Sequence, residues 1–91
     1  MNTSANKDEV MKFPMEFPIL AMGLNETDFR ELVETIAKKH FLDFDSTKTQ
    51  TKLSKSDKYI SINIVVNATS KEQLDAFYRE LTSNKRVKFA L

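Results

Sequence analysis

Cysteine and tryptophan are absent from the 91 residues, and there is one glycine. Without cysteine there can be no disulfide framework, no thiolate nucleophile and no thiolate metal site, which fits a reducing compartment. Long apolar runs are missing too: no segment approaches the roughly 20 residues that cross a bilayer. Met1 to Lys12 is polar and lacks the apolar centre of a signal peptide, so the expected location is the cytoplasm, with no membrane contact. Nor is one sign of charge in excess, with 14 basic against 13 acidic residues and a net charge of +1. Nucleic-acid binders draw most of their affinity from neutralised phosphates, and this balance demotes that class.

What remains is the composition of an ordinary globular chain, 41% hydrophobic and 30% charged, long enough for one core. Residues 1–12 read as a disordered tail and residues 13–91 as one domain. Ile19 to Met22 is a short apolar run ending at Gly23, and reads as a buried strand with Pro18 at or before its first residue. Phe29, Leu32, Val33, Ile36, Ala37 and His40 recur at helical spacing, with Asn25 or Thr27 as the cap and Glu34–Lys38 as a surface pair. From Phe44 to Leu53, alternating Thr47, Thr49 and Thr51 suggest a polar edge strand.

After a turn at Ser54 to Asp57, the run Lys58 to Asn67 is the plainest strand in the chain. Ile60, Ile62, Ile64 and Val66 take one face; Tyr59, Ser61, Asn63 and Val65 take the other. Thr69 and Glu72 match a capping box before a helix carrying Leu74, Phe77, Tyr78 and Leu81, with Asp75–Arg79 as a second surface pair. Val87, Phe89 and Leu91 alternate with Lys88 and Ala90 in a last strand. The order strand, helix, strand, strand, helix, strand is the α+β ferredoxin-like plan, βαββαβ. Right-handed crossovers put both helices on one face and strands one and three at the centre of an antiparallel sheet.

Several motifs carry a resemblance: Phe13-Pro14-x-x-Phe17, Met22-Gly23, Tyr59-x-Ser61-x-Asn63, Asn67-Ala68-Thr69, Tyr78-Arg79-Glu80-Leu81 and Val87-x-x-x-Leu91. In this order they resemble the YbeD-like family of small bacterial proteins of undefined biochemical function, over residues 13–91. The resemblance implies a fold close to ACT-type regulatory domains, which bind small effectors and pair through sheet edges. It also implies a suggested link to lipoate metabolism. Where the family often has Lys and Val before its Met-Gly pair, this chain has Leu20 and Ala21.

Fold alone does not give function, so candidate sites are weighed singly. A metal chaperone on this plan needs a Cys-x-x-Cys loop, and an acyl-phosphate hydrolase needs an Arg in the loop after strand one; neither is present. No cofactor is implied. His40, the only histidine, sits at the end of helix one as a lone His without a nearby acid partner, and is a poor general base. The open face of strand three offers Tyr59, Ser61 and Asn63, with one aromatic ring for base stacking. Gly23, Leu24 and Asn25 join strand one to helix one, where backbone amides can receive a carboxylate. The sequence therefore leads to a non-catalytic regulatory or adaptor domain. A small carboxylate effector or a protein would be its partner and a homodimer its expected state, with a nucleic-acid module as the alternative.

Overall fold

The computed structural model describes residues 12–91. The tail expected over residues 1–12 lies, apart from Lys12, outside the described residues. The elements are β1 (Met15–Leu24), α1 (Phe29–His40), β2 (Gln50–Leu53), β3 (Tyr59–Ala68), α2 (Lys71–Ser83) and β4 (Val87–Ala90). The strands form one antiparallel sheet in the spatial order β2-β3-β1-β4, the ferredoxin-like arrangement, with the long β1 and β3 at the centre.

The period of two in β3 decides which face is buried. Ile62, Ile64 and Val66 turn inward beside Ile19 and Ala21 of β1, all at most 1% exposed. Phe29, Val33, Ile36 and Ala37 of α1 and Leu74, Phe77 and Leu81 of α2 close this core from the helix side. Phe77 is its aromatic hub, meeting the rings of Phe41 at 5.3 Å, His40 at 5.8 Å and Tyr78 at 6.0 Å, all edge-on. Tyr78 is half-buried, and its burial pushes the phenol above its ordinary pKa.

Several local expectations are corrected. β1 begins at Met15, so Pro18 lies inside it, opposite Val65. Leu20 exchanges both backbone bonds with Leu91, at 3.0 and 2.9 Å, so alternate residues of β1 turn their backbone groups toward β4. At Pro18 that side is beyond the ladder to β4, and the missing N–H removes no bond. The threonine alternation is half a strand: Ser46–Lys48 is a single 3₁₀ turn, and only Gln50–Leu53 pairs with β3. Asp45 causes this, because its carboxylate accepts from the Thr47 amide at 3.0 Å and hydroxyl at 2.6 Å.

Neither Asn25 nor Thr27 caps α1; Asp28 stands at the cap position, and its carboxylate bonds Arg86 instead of an amide. At α2 the capping box is shifted by one residue. Ser70 accepts from Gln73 N–H at 3.1 Å, and the Gln73 side chain accepts from Thr69 N–H at 2.7 Å. Glu34 pairs with Arg30 at 3.3 Å rather than with Lys38, and Asp75–Arg79 is not among the ion pairs of the described residues.

Gly23 is where β1, β4 and α1 converge. A methyl group there would stand 2.5 Å from the Arg86 carbonyl oxygen and 2.6 Å from the Phe29 ring. Both obstacles are rigid, one being backbone and the other a wholly buried ring. Gly23→Ala should therefore destabilise the fold by about 2–3 kcal/mol, the scale of overpacking. Urea denaturation followed by circular dichroism measures it, and a loss below about 0.5 kcal/mol would show that the ring moves aside freely.

Candidate functional site: the open sheet face and its rim

The sheet face turned away from the helices carries the even-numbered side chains of β1 and the odd-numbered ones of β3. Opposite pairs run Glu16–Asn67, Pro18–Val65, Leu20–Asn63, Met22–Ser61 and Leu24–Tyr59. β4 adds Leu91 beside Leu20 and Phe89 beside Met22, while β2 adds Gln50 beside Asn63 and Lys52 beside Ser61. The register of β4 shifts between Met22 and Gly23, leaving Lys88 unpaired. This bulge overturns the simple alternation of the last strand. Val87 turns into the core, whereas Phe89 and Leu91 turn to the open side.

The result is a face divided lengthwise. Its β1–β4 half is apolar, with Pro18, Leu20, Met22, Leu24, Phe89 and Leu91. Its β3–β2 half centres on Ser61, Asn63, Gln50 and Lys52. Leu24, Phe89 and Leu91 are 38%, 47% and 64% exposed. The sequence candidates Tyr59, Ser61 and Asn63 do share this face; Tyr59 and Ser61 are half-buried and Asn63 is exposed. Periodicity in β1 and β3 held the signal for Leu20 and Met22, but Phe89 and Leu91 depend on a bulge that no local pattern announces.

Gly23, Leu24 and Asn25 lie at one end of this face. Gly23 is buried, Leu24 pairs with Tyr59, and Asn25 is exposed. The Asn25 amide donates to the Lys58 carbonyl at 2.9 Å, its side chain donates to the Asp57 carbonyl at 3.0 Å, and the Glu26 amide donates to Leu24 at 2.8 Å. Behind the loop, Arg86 spans Glu26 at 2.9 Å and Asp28 at 2.6 Å and lies over the Phe29 ring at 6.0 Å. Hydrogen bonds from Arg86 hold the Asp28 carboxyl below the usual carboxylate range. The guanidinium of Arg86, which sequence reading did not single out, is thus already engaged.

On the helix side, His40 does have an acid partner: its Nε2 lies 2.7 Å from Glu80 Oε1, and Lys39 bonds the other Glu80 oxygen at 3.0 Å. The 40-residue separation hid this pair from sequence reading. An ionised carboxylate only accepts, so Nε2 carries the hydrogen. His40 and Lys39 border a shallow recess with Leu42, Asp43, Asn67, Thr69 and Gln73. There Gln73 donates to the His40 carbonyl at 2.9 Å while accepting from Thr69, and Asn67 donates to Asp43 at 3.2 Å. These groups brace the helices against each other. Among the described residues no three His, Asp or Glu side chains are grouped to hold a metal ion, and no helix is long and apolar enough to cross a membrane.

The His40 bond, and then the Lys39 bond, lower the Glu80 pKa. A depressed folded-state pKa contributes stability above the unfolded pKa and loses it as pH falls through the folded value. Glu80→Gln should therefore be less stable than the parent at pH 7. The difference should close as pH falls below the ordinary carboxylate range, in denaturant melts from pH 7 to pH 3. A difference that stays constant over that range would assign the effect to packing instead.

The chain's motifs and fold now meet known proteins. Residues 8–91 match the family model described as "Protein of unknown function (DUF493)". A UPF0250 protein of Paraburkholderia phytofirmans is 34% identical over 88 residues, covering 97% of this chain and 99% of that one. One of Neisseria meningitidis is 33% identical over the full length of both. The solution structure of HP0495 from H. pylori superposes with a TM-score of 0.69 over 89% of this chain and 85% of its own, at 11% identity, a likeness of fold. The chain belongs to the DUF493, or UPF0250, family of small bacterial proteins of unknown function, the group toward which its YbeD-like motifs pointed.

Proposed function

We propose that this chain is a non-catalytic adaptor or regulatory domain that binds protein through the open face of its sheet. The apolar stripe carries the reading: Leu20, Met22, Leu24, Phe89 and Leu91 adjoin one another on a face that no helix of the described chain covers. Among the described residues, three of the five large apolar side chains most open to solvent belong to that stripe. Contiguous exposed apolar surface with a polar border is the usual composition of a docking site. The His40–Glu80 pair supports the non-catalytic side of the reading, since its neighbours are spent on bonds that hold α1 to α2.

A small carboxylate at Gly23–Asn25 is less well supported than a protein on the sheet. The Asn25 and Glu26 amides already donate within the chain, and Arg86 is neutralised by two carboxylates. Base stacking is disfavoured by a face whose centre is Ser61 and Asn63 rather than aromatic rings. A photo-crosslinking amino acid placed singly at Ser61, Phe89 or Thr35 in the full chain, irradiated in bacterial cells, tests the reading. Thr35 is an exposed position on α1. Discrete protein adducts should form from the two sheet positions and not from Thr35. Adducts absent from the sheet positions, or equal at all three, would remove the open face as the working surface.

A further inference from the structure

We propose that the occupant of the open face is a second copy of this chain, packed sheet on sheet with its strands antiparallel to the first. The inference rests on the reading of that face as a docking surface and names its partner. A two-fold axis lying between the sheets makes an isologous contact, in which each patch meets its own equivalent. With the axis directed across the strands, β1 and β4 of one copy lie over β1 and β4 of the other. Leu20, Met22, Phe89 and Leu91 then form the buried centre. Ser61, Asn63 and Gln50 face their own kind along the other half, where uncharged amides and hydroxyls can pair with each other or through water.

Charge selects between this axis and the one directed along the strands, which would bury the same stripe. At the Glu16–Asn67 end, three carboxylates (Glu16, Asp43 and Asp45) line a cleft with one ammonium, Lys48. At the opposite end, Lys52, Lys55 and Lys58 stand around the β2–β3 turn with one carboxylate, Asp57, and all four residues are exposed. An axis along the strands would set acidic end on acidic end and basic on basic. The axis across the strands sets each acidic end against a basic one, and complementary charge of this kind fixes orientation more than affinity. Twisted sheets packed face to face keep their strand directions within about 30°, so the ends stay opposed.

The sheet edges are poorer surfaces for self-pairing. β2 and β4 have four residues each, which permits few ladder bonds and little apolar burial. The face, ten residues along β1 and β3 but only four along β2 and β4, offers roughly 450 Å² from ordinary strand rise and spacing. That is well below the roughly 800 Å² per partner of a standard interface, so a weak, reversible, concentration-dependent dimer is expected.

Sedimentation equilibrium of the purified full chain from about 1 to 200 μM at low salt, with fold checked by circular dichroism, tests the proposal. The parent should reach dimer mass, and Phe89→Asp should weaken the dimer by at least about tenfold while staying folded. Glu16→Lys with Asp43→Lys, reversing the acidic end, should weaken it roughly five-fold at low salt and less at high salt. Lys52→Glu with Lys58→Glu, reversing the basic end, should do the same, and all four changes in one chain should restore the parent affinity. A parent that stays monomeric throughout, a dimer indifferent to Phe89→Asp, or four changes that fail to restore association would each overturn the antiparallel dimer. A monomeric chain that still crosslinks to another protein from Ser61 and Phe89 would leave the docking face standing and replace only its occupant.

Discussion

The close approach permitted by Gly23 organises the rest of the molecule. Because no side chain intervenes, the Phe29 ring lies directly against β1, and the carbonyl of Arg86, just before β4, packs onto the same spot. Phe29 is the first residue of α1 and is wholly buried, so this contact sets where the helix starts and how it lies on the sheet. Arg86 then covers the ring and joins Glu26 and Asp28, tying the β1–α1 loop to the last strand. These exposed ion pairs add little energy singly. Their effect is geometric, because they hold the β4 start where its register shift turns Val87 inward and Phe89 outward.

From that shift follows the division of the open face. Had β4 continued its alternation, Phe89 would have lain toward the helices, and the stripe beside Met22 would have lost its aromatic member. Pro18 works in the same direction from the other end. It has no N–H to donate on the side where, among the described residues, β1 lacks a neighbour, and this discourages further strand addition along that edge. The edges are thus short or blunted while the face is apolar, and this contrast favours association through the face.

Legibility in the sequence follows the range of the interaction. The β3 strand, both helical stripes and the strand–helix order could be read directly, since periods of two and 3.6 are local and the core obeys them. Tyr59, Ser61 and Asn63 were placed on the open face by the same rule. Local competition defeated the rest. Asp45 captured Thr47 into a turn where alternating threonines suggest a strand, and Gln73 displaced Glu72 from the capping box. Arg86 drew Asp28 from its capping role, and Glu80 met His40 across 40 residues of chain. None of these outcomes could be ranked without knowing which side chains the fold brings within hydrogen-bond reach.

The same comparison of ranges bears on function. The polar clusters around Arg86, around Glu80 and around Asp45 have their bonding capacity turned inward to fix a loop or a helix. A polar group committed to such a bond must break it before it can bind a ligand, and that cost is of the order of the bond itself. The apolar stripe has no comparable commitment. Covering Leu20, Met22, Leu24, Phe89 and Leu91 with another surface releases water at about 25 cal/mol per Å² and breaks no internal contact. In this fold the largest recoverable free energy therefore lies on the open sheet, and a partner that fits the stripe gains it without rearranging the loops at either end.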